Sequence, residues 1–591
     1  MYVGIRAFGH DSSIFHIDIE KKEIFALESE KVTRIKHDQI SFFPAFKKLM
    51  EQKKDKFIKI SHPMIEFKRG KIFKDERDLR WNLYRKAFNI KFLKDQILAN
   101  QNKKFILDKN AYMEYILLKN SVGYMNIPQY VSKIIKRNYF VDVRNRFYDH
   151  HLSHNISAFA FSKFKKAITI SIDGFGDGFS LKAYIMKKKE ETIDYTLLGY
   201  SKVVSLKTIK TNAFENLVLC NSIGSLFNYF TNVLGFIPNS DEGKVEALAT
   251  FGKVDEKLLN EILSLFEIKL EEGFLVLNMK NFLNLNIKSI KRENLAATLQ
   301  ESVKIIIINY LKELFKIYEC ENIVFSGGVF SNVSLNLAIY EKFLKNSYIF
   351  PAMGDGGSPA GAVILDMLND GIKWKDLEWI ENEIMPYWGI EYNDEEILQA
   401  LNYYNNLVDW EYIDNFEEEI TNKILQNKIV AIFQGRNEFG PRALGNRSIL
   451  ANAFTKESVY KINSLIKKRE KFQPFCPSLL EEDKFILEKN YINYHMTTAF
   501  RVKKEFLDKI PAAVHIDNTA RVQFVNEYTN RSFYKILKYI KKEKGIGIVI
   551  NTSFNLHGRA MVLSPKDAIV DFISSGIDYL YFKNIKVRKR F

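Results

Sequence analysis

His150 and His154, four residues apart in DHHLSHNISAFAF, are the residues of this sequence best spaced to bind a cation. On a helix an i, i+4 pair faces one direction, so both imidazoles can reach one ion while His151 points elsewhere. An isolated H-x-x-x-H is more often a solvated helical pair, and no glutamate completes a zinc-protease motif. Two carboxylates strengthen the metal reading. Asp173 in SIDGFGDG and Asp355 in AMGDGGSPAGA each stand where an apolar run enters a glycine turn, from which a carboxylate can supply an oxygen ligand beside phosphates. Two imidazoles and two carboxylates suit iron, manganese or zinc.

The elements that must position these groups are legible as apolar runs feeding glycine turns. Glycine is scarce, 28 in 591 residues, yet it gathers into a few clusters such as GIRAFGHDSS (4–13), DGFGDG (173–178), FSGGVFSN (325–332) and QGRNEFGPRALGNRS (434–448). Repeated glycine turns at strand ends fit phosphate cradles, with surface turns as the plainer alternative. YVGIRAFG followed by SIFHIDIEKKEIFALESEKVTR reads as a strand, a turn and two further strands, and AITISIDGFGDGFSLKAYIMK repeats that arrangement. NIVFSGGVFSNVSLNLAIYEKFL and YIFPAMGDGGSPAGAVILDML each read as a buried strand, a glycine turn and a helix. Mixed sheets flanked by helices place the chain in the α/β class. No P-loop and no dinucleotide-binding fingerprint occurs. The two strand-turn modules match the duplicated ATPases of the actin, sugar-kinase and Hsp70 type.

A chain of 591 residues and 69.0 kDa is too long for one core, so two or three domains are expected. Hydrophobic residues at 46% and charged residues at 27% exclude wholesale disorder and fibrous repeats. A net charge of +16 favours anionic ligands without choosing among them. Cys220, Cys320 and Cys476 are far apart, which excludes a disulfide framework and a cysteine zinc site. With no signal sequence and no bilayer-long apolar run, a cytoplasmic protein is expected. The first domain is expected over 1–370. It carries a Lys-, Arg- and aromatic-rich insertion of helical character at about 51–135. The boundary falls within 366–392, and a smaller α/β domain follows over 390–591.

In order along the chain, GHDSS (9–13), GRNEFGPRALGNRSIL (435–450), REKFQPFCPSLLEE (469–482), HIDNTARVQFV (515–525) and NTSFN (551–555) resemble the motifs of the O-carbamoyltransferase family of nodulation-factor, cephalosporin and tobramycin type. Such proteins join a domain similar to the tRNA threonylcarbamoyladenosine synthase subunit to a distinctive C-terminal domain. The resemblance implies an ATP-dependent enzyme that converts carbamoyl phosphate and ATP, with magnesium, to carbamoyl-adenylate. The carbamoyl group then passes to a hydroxyl of a sugar, glycan or other small molecule. It makes His150, His154, Asp173 and Asp355 the metal ligands. It sets Gly327, Gly328, Asn332, Gly354 and Gly356 around the nucleotide, with Glu242 and Lys244 nearby. His10, Lys36, Arg442, Arg447, Arg469, Arg521 and Asn551 become the carbamoyl phosphate set. A dianionic phosphate needs guanidinium forks and a carbamoyl amide needs neutral partners, so these residue types suit the task.

For some of these residues a plainer role is open. His10 reads equally as a turn histidine, Lys36 as a solvated lysine, and Arg442 or Arg447 as ion pairs tying the domains together. Three departures from the family pattern stand out: Arg559 and Ala560 where Glu-Pro is usual, Asn518 in place of glycine, and Glu246 in place of methionine. Asparagine tolerates the left-handed conformation that glycine would adopt. A tRNA threonylcarbamoyl transferase and a nonenzymatic nucleotide-binding protein are the rival readings; the carbamoyl phosphate arginines argue against the first. No membrane span and no nucleic-acid partner are expected, and a homodimer is compatible with the resemblance.

Overall fold

A strand buried on both faces reads as an unbroken apolar run. The segment YVGIR is such a run and forms the central strand of the first sheet in a computed structural model of the chain. The structure describes residues 1–6, 11–37, 42–53, 55, 57–64, 131–132, 135–136, 138–203, 206–209, 217–269, 274–277, 285, 287, 289–467, 473, 475–489 and 491–590.

Strands β1 (Tyr2–Arg6), β2 (Ser13–Asp18), β3 (Glu23–Glu28), β4 (Phe57–His62) and β5 (Asp142–Phe147) make a five-stranded sheet in the order β3-β2-β1-β4-β5. The first three are antiparallel and the last two run parallel to β1. A second five-stranded sheet has the same plan: β6 (Lys166–Gly176), β7 (Phe179–Lys188) and β8 (Ile193–Lys202) form the meander, and β9 (Asn322–Ser326) and β10 (Asn346–Ile349) add in parallel, in the order β8-β7-β6-β9-β10. The two strand-turn modules of the sequence are therefore the two meanders. One expectation changes: FIKISH, placed in the helical insertion, is β4, because its alternate apolar residues Ile58 and Ile60 are buried between β1 and β5. The rest of that insertion, residues 65–130, lies outside the described residues.

Two helices lie between the sheets. Helix α1 (His150–Phe161) packs on β6, β7 and β9, while α4 (Ser358–Asn369) packs on β1, β2 and β4, and the two helices pack on each other. Their crossing depends on a glycine: a Cβ added at Gly361 would stand 1.9 Å from the Ser153 carbonyl oxygen. Forcing a methyl group into so close a crossing costs about 1–3 kcal/mol. Gly361→Ala is therefore expected to lower the unfolding free energy by that amount and to shift the urea midpoint down accordingly, read from equilibrium unfolding; an unchanged midpoint would show that the helices separate freely. Two further helices matter below, α2 (Arg292–Ile317) and α3 (Val333–Phe343).

The second half is built on an eight-stranded mixed sheet. Its strands are β11 (Val408–Tyr412), β12 (Val430–Phe433), β13 (Arg447–Asn452), β14 (Cys476–Leu480), β15 (Gln523–Val525), β16 (Ile548–Ser553), β17 (Tyr579–Phe582) and β18 (Ile585–Lys589), in the order β11-β18-β17-β12-β13-β16-β14-β15. Apolar residues of both faces are buried, with Phe533, Ile536, Leu537 and Ile540 of helix α5 (Arg531–Lys544) covering one side. The chain is thus mixed α/β throughout. Among the described residues no helix is long and apolar enough to cross a membrane.

The halves meet along a seam of buried charge. Lys31 and Glu28 pair at 2.9 Å, both buried; Lys31 Nζ also donates to the carbonyls of Glu438 and Gly440, and Glu28 accepts from the Gly440 amide. Arg436 donates to the carbonyls of Ile24, Trp388 and Gly389. Arg559, one of the departures, finds an acidic partner here: it and Arg34 share the two oxygens of buried Asp571. Asn518, another, adopts φ +61°, the left-handed conformation its residue type tolerates.

Candidate active site

Asp149 starts α1 by accepting a hydrogen bond from the Leu152 amide, which sets His150 and His154 one turn apart on one face. Their rings lie 4.6 Å apart, edge to face. His154 Nε2 is 3.3 Å from Asp355 Oδ1 and 3.5 Å from Asp173 Oδ2; His150 Nε2 is 3.4 and 3.7 Å from the same two atoms. One ligand atom from each of the four residues falls within 4.8 Å of all the others. His150 Nδ1 meets the Pro63 carbonyl, which can only accept, so the proton sits on Nδ1 and Nε2 is left to bind. His151 faces away, between Ser171 Oγ and the Phe179 carbonyl. Burial keeps it neutral, with its pKa pushed down to about 3.

The donor set fits a metal by its chemistry and by what it leaves unpaired: among the described residues, His150 Nε2 and Asp173 Oδ2 are buried without a hydrogen-bond partner. Burial opposes charge on His154, but Asp173 and Asp355 overcome it and raise its pKa to about 9. Burial and Asp355 likewise oppose charge on Asp173, yet its two histidines hold its carboxyl down at about 2. Without an ion, a proton on His154 therefore neutralises part of the cluster. Glycine shapes the pocket, since a Cβ at Gly176 would stand 2.1 Å from His150 Cδ2. Arg6, at the end of β1 and buried, binds the outer Oδ2 of Asp355 through Nη2, while its Nε and Nη1 have no hydrogen-bond partner among the described residues. Neither the spacing nor the type of Arg6 marked it in the sequence.

The glycine turns converge on the same place. Gly327 follows β9 with φ +91°, and a Cβ there would stand 2.2 Å from the Ile172 carbonyl oxygen, one residue from Asp173. A Cβ at Gly328 would come within 3.2 Å of Asp173 Oδ1. Gly354 and Gly356 flank Asp355, and Gly356 accepts from Ser13 Oγ at 2.7 Å, joining the turn to GHDSS. Asn332 caps α3 through the Leu335 amide and exchanges hydrogen bonds with Gln300 of α2, so its side chain serves the turn's shape. Glu242 and Lys244 lie one helix away, on Glu242–Ala249, with Glu242 accepting from the Asn239 amide and Lys244 3.3 Å from Asp241.

The third group lies across the seam. Arg442, Arg521 and Asn551 come together: Asn551 Nδ2 donates to the Ala443 carbonyl, Ser478 Oγ and Gln523 Oε1, while its Oδ1 is buried without a partner. Arg442 Nε and Arg521 Nε are likewise buried without a hydrogen-bond partner among the described residues. Burial and the neighbouring Arg521 charge push the Arg442 pKa down to about 10. His515 lies beside them, its Nε2 donating to the Phe475 carbonyl, and is held neutral, its pKa near 4, by burial and Arg521. Two guanidiniums that share a single nearby carboxylate, Glu246 at 3.4 Å from Arg521 Nη2, and an open amide oxygen form an anion site with an amide end.

Arg447, expected in this group, is enclosed instead. It is 0% exposed, its guanidinium lies 3.6 Å over the Phe433 ring, and its Nη atoms donate to the carbonyls of Gln434, Asn446, Ile390 and Gly435. Glu438 completes the brace by accepting from the amides of Leu444, Asn446 and Arg447. The loop that carries Arg442 is thereby fixed from beneath. Lys36 is exposed on a turn whose neighbour His37 bonds Asp11 of GHDSS at 2.9 Å. His10 and Arg469 lie outside the described residues. Sequence reading missed His515, Gln523 and Ser478, although His515 and Gln523 stand within HIDNTARVQFV and could have been found there.

Comparison with known proteins matches residues 1–364 to the family model described as carbamoyltransferase N-terminus and residues 421–589 to that described as carbamoyltransferase C-terminus. MJ1058 of Methanocaldococcus jannaschii is 38% identical over 623 aligned positions, covering 100% of this chain and 99% of that one. Nodulation protein NolNO of Sinorhizobium fredii is 28% identical, covering 81% of this chain and 70% of that one. The 3'-hydroxymethylcephem-O-carbamoyltransferase of Streptomyces clavuligerus is 29% identical over 38% of this chain and 40% of that one. Among solved structures, full-length HypF in its phosphate- and nucleotide-bound form aligns over 63% of this chain at 13% identity and a TM-score of 0.35; the match spans 46% of that chain.

Proposed function

The chain belongs to the carbamoyltransferase family and is an enzyme, and from that premise we propose that it carries a carbamoyl group from carbamoyl phosphate to a hydroxyl of a sugar, glycan or other small molecule, using ATP with magnesium. The observation that carries this reading is the half-buried pair Arg442 and Arg521, whose Nε atoms are enclosed without a partner among the described residues, beside the unpartnered oxygen of Asn551. A phosphate joined to a carbamoyl group satisfies all three: the phosphate takes the guanidinium N–H groups and the carbamoyl NH2 donates to Asn551 Oδ1. His10, Lys36 and Arg469 belong to the same proposal as further donor contacts, and Arg447 supports it from beneath the loop.

The turns at Gly327, Gly328, Gly354 and Gly356 bind the ATP phosphates through backbone N–H groups, with Glu242 and Lys244 near the nucleotide. His150, His154, Asp173 and Asp355 would hold a metal ion, which when bound supplies positive charge to the phosphate oxygens. Loss of phosphate from the donor, with one water consumed, leaves carbamate. Its oxygen attacks the α-phosphorus of ATP, pyrophosphate leaves, and carbamoyl-adenylate remains. The acceptor hydroxyl then attacks the carbamoyl carbon, AMP leaves, and the hydroxyl proton passes to a base. Arg442 and Arg521 hold the donor, and Asn551 orients its amide, throughout the first half of this sequence.

Purified protein given a hydroxylated acceptor is expected to release AMP and pyrophosphate only when carbamoyl phosphate is present, with a gain of one carbamoyl group on the acceptor by mass spectrometry. AMP release independent of carbamoyl phosphate, or none across a broad acceptor set, would defeat this chemistry. The name of the Streptomyces relative, an O-carbamoyltransferase, supports the choice of a hydroxyl acceptor.

A further inference from the structure

We propose that Glu246 is a resident counter-anion of the arginine site, displaced by the donor's phosphate, and that its displacement is felt at the nucleotide turn. This rests on the reading of Arg442 and Arg521 as the donor site. Two half-buried guanidiniums whose charges repel are costly unless a negative charge accompanies them. Glu246 supplies one. It is buried, its carboxylate stands 3.4 Å from Arg521 Nη2, and its charge also reaches Arg442. It comes from the other half of the chain, on the helix Glu242–Ala249.

The second oxygen of the same carboxylate is also used. Glu246 Oε1 accepts from the Ser334 amide at 2.9 Å, in the first turn of α3. Asn332, the cap of α3, closes the turn that begins at Gly327, and its side chain holds both the Leu335 amide and Gln300. One carboxylate therefore bridges the start of α3 and Arg521. A phosphate dianion entering between Arg442 and Arg521 meets a negative charge already in place, and like charges at contact in a low-dielectric site repel strongly. Glu246 Oε2 must leave Arg521 for the dianion to seat. As it swings, the hydrogen bond to Ser334 lengthens or breaks. A nucleotide that fixes the turn before α3 then alters how readily Glu246 gives way, and the coupling is reciprocal.

The test is titration of inorganic phosphate into the full-length protein by calorimetry. It is done with and without a saturating non-hydrolysable ATP analogue, for wild type, Glu246→Gln and Arg521→Gln. Glu246→Gln keeps the shape and the acceptor for Ser334 while removing the charge. It is expected to bind phosphate about tenfold more tightly than wild type, a difference of the size one lost charge contact makes. The analogue is expected to shift phosphate affinity in wild type and to leave Glu246→Gln unmoved. Glu246→Met, of similar volume, should repeat the tightening, which guards against a folding defect in one variant. Equal or weaker phosphate binding in Glu246→Gln, with binding abolished in Arg521→Gln, overturns the role of Glu246 and leaves the arginine site standing. Equal binding in all three proteins removes the arginine site and this proposal together. An analogue effect that persists in Glu246→Gln overturns the link to the nucleotide turn.

Discussion

With a metal at the proposed site, Asp173→Asn protein is expected to retain less metal than wild type and to transfer carbamoyl groups about a thousandfold more slowly, the factor that several kcal/mol of lost charge stabilisation implies. Asp173 Oδ2 is the buried oxygen with no hydrogen-bond partner, whereas Oδ1 already accepts from the Gly174 amide. An asparagine can keep the second contact while giving up the charge. Its amide also presents either a poorer ligand or an N–H aimed at two imidazoles. The fold should survive, because none of the core contacts of β6 involves the carboxylate. Elemental analysis of the purified variant, alongside its circular dichroism, separates loss of metal from loss of structure. Full metal content at full activity would show that these four residues are not the site.

Arg521→Gln is expected to lower kcat/KM for carbamoyl phosphate by about 100- to 1,000-fold, the range seen when one preorganised donor to a developing charge is removed. The loss should appear with carbamoyl phosphate as the varied substrate, while the KM for ATP moves little. Arg442 would then face the donor alone, and Glu246 would lose its cationic partner. Arg442→Lys is the sharper comparison, since lysine keeps the charge but cannot present the planar fork that a phosphate accepts. Comparable losses in Arg521→Gln and Arg442→Lys would place geometry above charge. A KM for ATP that rises as steeply as that for carbamoyl phosphate would assign these arginines to the nucleotide and refute the donor site.

The convergence of His150, His154, Asp173 and Asp355 was legible because each sits in a short local signature: a helical i, i+4 pair and two aspartates at strand-to-glycine junctions. The fold class follows from the same runs, since β1 and β6 are largely buried strands that each open a meander. What escaped were roles defined by a partner hundreds of positions away. Arg6 meets Asp355, and Lys31 meets Glu438 and Gly440, across separations of 349 and more than 400 residues. Arg442 and Arg447 look alike in GPRALGNRS, yet one lies on the loop and the other opens β13, where it pairs with Phe433 and is swallowed by the sheet. β4 reads as part of a helical insertion because FIKISH stands in a stretch rich in Lys, Arg and aromatics with no glycine cluster except Gly70. Burial between two strands overrode local composition there. Glu246, noticed only as an unusual residue in its motif, acquired meaning once Arg521 stood opposite.

The charged seam carries an implication for how such chains can diversify. Lys31 and Glu28 give up nearly all their hydration and bond instead to main-chain groups of the 438–440 loop, so the recognition is of backbone shape more than of side-chain identity. A chimera that kept this first half and borrowed the second from a kindred protein would succeed or fail on whether the borrowed loop traced the same path, however dissimilar its surface. Substrate preference can drift around such a junction, but the junction itself must be inherited as a matched set.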